Sequence, residues 1–105
     1  MEKNNIYPAT PPASPGEVSI DLLRKGSVTI ERIISHAHSS PAGFWYDQAE
    51  DEWVIVLRGS AVLEFGGREM VEMNEGDYLL IPSGVRHRVA STDEQTVWLA
   101  VRIGS

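Results

Sequence analysis

From Glu17 onward the chain alternates apolar and polar residues with period two, and turn residues break the alternation at short intervals. That pattern predicts strands, because successive strand side chains point to opposite sheet faces. Val28, Ile30, Ile34, His36 and His38 fall on one face of a first run, interrupted by Arg32, with Thr29, Glu31, Ser35 and Ala37 on the other. The apolar face is expected to look inward. Trp53 to Leu57 is apolar on both faces, as a central strand requires. Ala61, Leu63 and Phe65 alternate with Ser60, Val62 and Glu64 up to Gly66-Gly67, a hairpin signal, and Arg68 to Met73 returns from it. Asn74-Glu75-Gly76 turns into Asp77 to Ile81, Val85, His87 and Val89 share a face, and Val97, Leu99, Val101 and Ile103 form one face of a last strand. No segment carries a helical stripe of ordinary length. The prediction is an all-β sandwich, barrel or jelly roll without internal repeats.

Four of the six prolines lie within the first 15 residues, so residues 1–16 read as an extended arm or tail and 17–105 as the β-barrel domain. At 105 residues a single domain is expected. Nine Lys and Arg against fifteen Asp and Glu give a formal charge of −6, which disfavours nucleic acid and anionic membranes as partners. The absence of cysteine removes disulfides and thiolate metal sites. With no leader-like or spanning apolar run, the expected location is the cytoplasm.

All three histidines fall at strand positions that the alternation aims inward. His36 and His38 form a His-Ala-His step, His87 follows Gly84-Val85-Arg86, and Glu52 shares a face with Val54 and Val56. A buried carboxylate needs a partner, and imidazoles with a carboxylate on separate strands suit a divalent metal. The competing reading is three hydrogen-bonded core histidines.

Gly76, Pro82, Gly84 and His87 carry the spacing glycine, five residues, proline, one residue, glycine, two residues, histidine. Glu52 and Gly59 are separated by six residues. In these two spacings the stretch from His36 to Ser91 resembles the cupins, single-domain jelly-roll β-barrels (double-stranded β-helices), although Ser91 stands where an asparagine is usual. The resemblance implies a metal inside the barrel (Fe, Mn, Zn or Ni), a small-molecule ligand and a homodimer. It also implies two ligands three or four residues before Glu52. Here His38 and Glu52 are separated by thirteen residues, and two registers remain open. In one, His36 and His38 join Glu52 and His87 around the metal, with residues 40–47 as a loop over the barrel mouth. In the other, Tyr46 and Gln48, or Trp45 and Asp47, take the pair's place. The first register is preferred for the ligands. Around it, Tyr46 is the candidate proton donor, Trp45, Asp47 and Gln48 candidate pocket walls, and Arg32 a candidate carboxylate-binding group. A metal-dependent enzyme acting on a small polar metabolite is the leading expectation; a non-catalytic binding or dimerising module with a degenerate metal site is the alternative.

Overall fold

In the computed structural model the described residues are 1–8 and 16–104. Most of the proline-rich stretch, 9–15, lies outside them. Eight strands follow one another: β1 (Gly16–Lys25), β2 (Val28–His36), β3 (Asp51–Arg58), β4 (Ala61–Phe65), β5 (Glu69–Met73), β6 (Tyr78–Ile81), β7 (His87–Thr92) and β8 (Thr96–Ile103). No helix occurs among the described residues, so none is long and apolar enough to cross a membrane. The strands form two antiparallel sheets, β1-β2-β8-β3-β6 and β5-β4-β7. The two sheets face each other across one core: Val54, Val56, Ile81, Trp98 and Ala100 from the first meet Ala61, Leu63, Met73 and Val89 from the second.

Two turns fix this arrangement. Gly59, at φ +83°, lies so close to the Gln95 carbonyl oxygen that an added Cβ would sit 2.3 Å from it, so only glycine allows β3 to pass into β4 there. Gly67 (φ 89°) and Arg68 (φ 72°) then turn β4 into β5 at the predicted hairpin. β3 lies between β8 and β6, a central position that explains its unbroken apolar run.

The five-stranded sheet corrects the expected direction of β2 and β8. On β2 it is Thr29, Glu31 and Ser35 that are buried on the inner face, and Glu31 and Ile33 look into the space between the sheets. Val28, Ile30, Arg32, Ile34 and His36 alternate with them and face outward. On β8, Trp98 is the inward residue, its indole Nε1 donating to Ser35 Oγ at 3.2 Å, while Val97, Leu99 and Val101 take the outer face. The inversion has a physical cause: the inner face borders a polar cavity, and the outer face is itself apolar. Period two is read correctly on these strands, but hydrophobicity does not say which side is inside.

Arg32 therefore cannot reach the interior. Its guanidinium donates to the Ile6 carbonyl at 3.2 Å. Tyr7 lies beneath the Arg58 guanidinium at 4.3 Å, its hydroxyl 3.5 Å from the Leu57 carbonyl oxygen. Residues 6 and 7 are thus strapped across the outer face.

Candidate functional site

The second sequence motif is a turn that presents His87. The Pro82 carbonyl accepts from Val85 N at 3.2 Å, and Gly84 (φ 79°) donates its N–H to the Gln48 carbonyl at 2.8 Å. Ser83 N donates to Asp51 Oδ1 at 2.8 Å. These bonds clamp the turn to the segment entering β3, so His87 and Glu52 arrive opposite each other. His87 and Tyr46 exchange backbone hydrogen bonds of 2.7 and 3.1 Å, and their rings stack with centroids 5.4 Å apart.

A cavity of about 170 Å³ opens at this point. Its polar wall is Glu17, Glu31, Glu52, His87, Tyr46, Gln48 and Arg102; Ile33, Val54, Leu63, Ile81, Val89 and Trp98 supply apolar floor. Three carboxylates from β1, β2 and β3 meet here, each near a basic group. Glu17 Oε2 is 2.9 Å from His38 Nε2, Glu31 Oε1 is 3.5 Å from Arg102, and Glu52 Oε1 is 3.5 Å from His87 Nε2.

Burial pushes the Glu17 and Glu31 carboxyls above the ordinary carboxylate range. For Glu17 the His38 ring opposes this and Glu52 adds to it. For Glu31 the Arg102 guanidinium opposes it, and Asp21, Glu52 and Glu17 reinforce it. The Tyr46 phenol is raised by burial and then by the same three cavity carboxylates. Burial alone would lower His87. The Glu52 carboxylate and the Val85 carbonyl outweigh it and raise the ring above its usual value.

The His87 ring is oriented by the Val85 carbonyl, 3.0 Å from Nδ1. In that tautomer Nδ1–H donates and Nε2 presents a lone pair toward Glu52. Two acceptors 3.5 Å apart need a proton, on the ring or on the carboxyl, or a metal cation between them.

The expected ligand quartet is not assembled. Ala37, at φ 42°, breaks the strand alternation, and its N–H turns to the Asp93 carbonyl. His36 and His38 consequently no longer share a face. His36 ends on the outer side with a buried, unpartnered Nδ1, and His38 reaches Glu17 instead of His87. Neither lines the cavity. Among the described residues no three His, Asp or Glu side chains form a metal-ligating group. Tyr46 and Gln48 line the cavity beside Glu52 and His87, the placement of the second register. Trp45 packs under the Arg86 guanidinium at 5.0 Å and Asp47 is exposed; both lie outside the lining. The arginine of the cavity is Arg102, which sequence reasoning missed together with Glu17, Ser19 and Glu31. Their signal was present as polar residues alternating with apolar ones on β1, β2 and β8, once the inner face is taken to be the polar one.

A model of the cupin domain matches residues 31–102. No curated protein matches the chain. Among solved structures, a candidate mannose-6-phosphate isomerase from Ralstonia eutropha JMP134 is 44% identical with a TM-score of 0.92, each chain covered over 100% of its length. A cupin superfamily protein from Desulfitobacterium hafniense DCB-2 is 18% identical with a TM-score of 0.74, covering 86% of this chain and 79% of that one. Fe(II)-HppE with the alternative substrate (S)-1-HPP is 16% identical with a TM-score of 0.71, covering 83% of this chain and 49% of that one. The last two likenesses are of fold.

Proposed function

Because this chain belongs to the cupin domain family, we propose that its cavity binds a small polar molecule beside one divalent cation held by Glu52 and His87. The observation that carries this reading is the pair of facing acceptors, Glu52 Oε1 and His87 Nε2, with Nδ1 already committed to a backbone carbonyl. The donors fit a hard or borderline cation held by few protein ligands. One imidazole and one carboxylate supply the strong bonds, and the Gln48 amide and Tyr46 phenol stand beside them. When bound, such a cation supplies Lewis acidity toward an oxygen of the ligand. The chain's own groups do the rest. Tyr46, stacked on His87, is placed to donate a hydrogen bond or proton to a ligand oxygen, and the apolar floor excludes water.

Charge narrows the ligand. Glu17, Glu31 and Glu52 all face the cavity, and the guanidinium of Arg102 is turned to Glu31. A phosphate dianion would meet repulsion here, and the cavity is smaller than the roughly 300 Å³ at which pockets enclosing drug-sized ligands begin. The name of the Ralstonia protein points to a sugar phosphate. For this chain the walls favour a neutral hydroxylated compound or an amine, which the carboxylates would recognise through donated hydrogen bonds.

A second reading keeps the same geometry with a proton in place of the metal. Its support is the same 3.5 Å approach of Glu52 Oε1 to His87 Nε2, which a shared proton also satisfies, and it makes Glu52–His87 an acid–base pair in a metal-free binding module. Melting curves with and without Mn²⁺ or Zn²⁺, repeated on His87→Ala and Glu52→Gln, separate the two. The metal reading expects stabilisation by the ion in the natural protein and in neither variant. Melting insensitive to every ion up to millimolar concentration leaves the proton reading standing.

A further inference from the structure

Glu52 and His87, 9% and 5% exposed, form the deep part of the cavity. Its outer part is built around Glu17. This carboxylate comes from the edge strand β1, and Ser19, on the same face, is exposed, so the cavity opens to solvent along that strand.

Glu17 is met there by a side chain from a strained turn. Ala37 takes a left-handed backbone conformation, φ 42°, that alanine rarely adopts. Such strain persists only where the surroundings over-determine it. Here they do: Ala37 N donates to the Asp93 carbonyl at 3.0 Å, His38 N to Thr92 Oγ1 at 2.7 Å, and Thr92 Oγ1 to the His38 carbonyl at 3.0 Å. These bonds fix the turn to the end of β7, in the opposite sheet. From that anchor the imidazole crosses to β1, with Nε2 standing 2.9 Å from Glu17 Oε2. His38 does not line the cavity; it places the carboxylate that does. Yet Glu17 Oε2 remains a buried acceptor with no aligned hydrogen-bond donor among the described residues.

We propose that Glu17, positioned by His38, receives an ammonium group of the ligand, so that the cavity selects a short amine carrying an oxygen at its other end. This rests on the cavity being a ligand site. Three observations favour ammonium over hydroxyl. A buried acceptor calls for a donor, and an ammonium offers three N–H groups, in bonds roughly twice as strong as those of a neutral donor. The Tyr46 phenol is raised, after burial, by Glu17, Glu52 and Glu31, so the carboxylates set the potential along that wall. Arg102, the guanidinium of the lining, is turned to Glu31 at 3.5 Å and leaves Glu17 to others.

Three probes of one length test this: 3-aminopropan-1-ol, propane-1,3-diol and 3-hydroxypropanoate. They share an alcohol end and differ in charge at the other, the amine being protonated at neutral pH. Binding is read from the indole N–H resonance of Trp98, which lines the cavity and donates to Ser35. Mg²⁺ is present, a cation that takes oxygen ligands and leaves the amine free. The natural chain should bind the amine at least about 10-fold more tightly than the diol, and the diol more tightly than the acid. Glu17→Gln should bring the amine and the diol to equal affinity, and so should His38→Ala. His38→Gln, which keeps an N–H at the reach of Nε2, should restore the preference. A purely structural role for His38 would weaken both probes alike and leave their ratio unmoved. Glu72→Gln, which removes an exposed charge outside the cavity, should keep the natural ratio. If Glu17→Gln does not fold, Glu17→Asp, which withdraws the carboxylate by one methylene, is read the same way. Equal affinity of the natural chain for amine and diol, or a preference that survives Glu17→Gln, overturns the inference and leaves the cavity as a ligand site. Failure of all three probes to move the Trp98 resonance at about 100 mM overturns both.

Discussion

The two faces of the five-stranded sheet carry opposite rules. Inside, β1, β2 and β8 present Glu17, Ser19, Glu31 and Arg102 to a cavity; outside, the same strands present Val18, Ile20, Ile30, Leu99 and Val101. β3 and β6 keep to the ordinary rule inside, with Val54, Val56 and Ile81 buried in the core. The sheet thus divides along its width. One part seals the core against β4, β5 and β7, and the other walls a polar chamber and turns its apolar residues outward. Burial of hydrophobic surface is the principal stabilising term of folding, yet where a chamber must be polar that burial can be found on the other face.

Substitutions on the two faces should separate this arrangement from a uniform apolar interior. The largest effect is expected at Trp98, buried on the inner face with its indole bonded to Ser35. Trp98→Ala should cost about 3–5 kcal/mol in urea unfolding, and Leu99→Ala, its half-buried outward neighbour, less than half as much. Equal costs would mean that the faces do not differ. Next comes the facing pair. Glu52→Ala leaves the His87 ring without its carboxylate partner and should cost about 1–3 kcal/mol in the metal-free protein while abolishing any shift in melting on adding metal.

A smaller effect is expected from pH. Glu17, Glu31 and His87 all titrate above their ordinary values in the folded chain, so each favours its protonated form there. Their contribution is fully present below the unfolded values, 4.5 for Glu and 6.5 for His, and is lost as pH rises through the folded ones. The metal-free protein should therefore melt progressively lower as pH is raised from about 5 to 8. Bound metal should offset this, since a cation competes with protons for Glu52 and His87. Melting that rises with pH in the metal-free protein would contradict the assignment of buried, mutually repelling carboxylates. The smallest effect belongs to the outer face. Leu80→Ser in dilute solution should change stability by no more than about 0.5 kcal/mol, as for an exposed position.

Much of the fold was legible. β3, the β4–β5 hairpin and the inward placement of His87 and Val89 follow from alternation and turn chemistry, and Glu52 and His87 do meet. The direction of β2 and β8 was not legible, because alternation fixes which residues share a side but not which side is buried. His36 and His38 were misplaced for a further reason: a single positive φ at Ala37 rotates the chain between them, and alanine gives no warning of it. Through the same inversion Arg32 turns outward to the Ile6 carbonyl, and Arg102, for which no role was expected, lines the cavity. The strap of Ile6 and Tyr7 over the outer face had no periodic signal at all.

Nitrogen-15 resonances of the three imidazoles, followed through a Zn²⁺ titration at neutral pH, decide where a cation is held. The account predicts that His87 Nδ1 keeps its proton while Nε2 shifts with one equivalent of metal, and that His36 and His38 stay where they were. Metal-dependent shifts at His36 and His38 with His87 unmoved would contradict it.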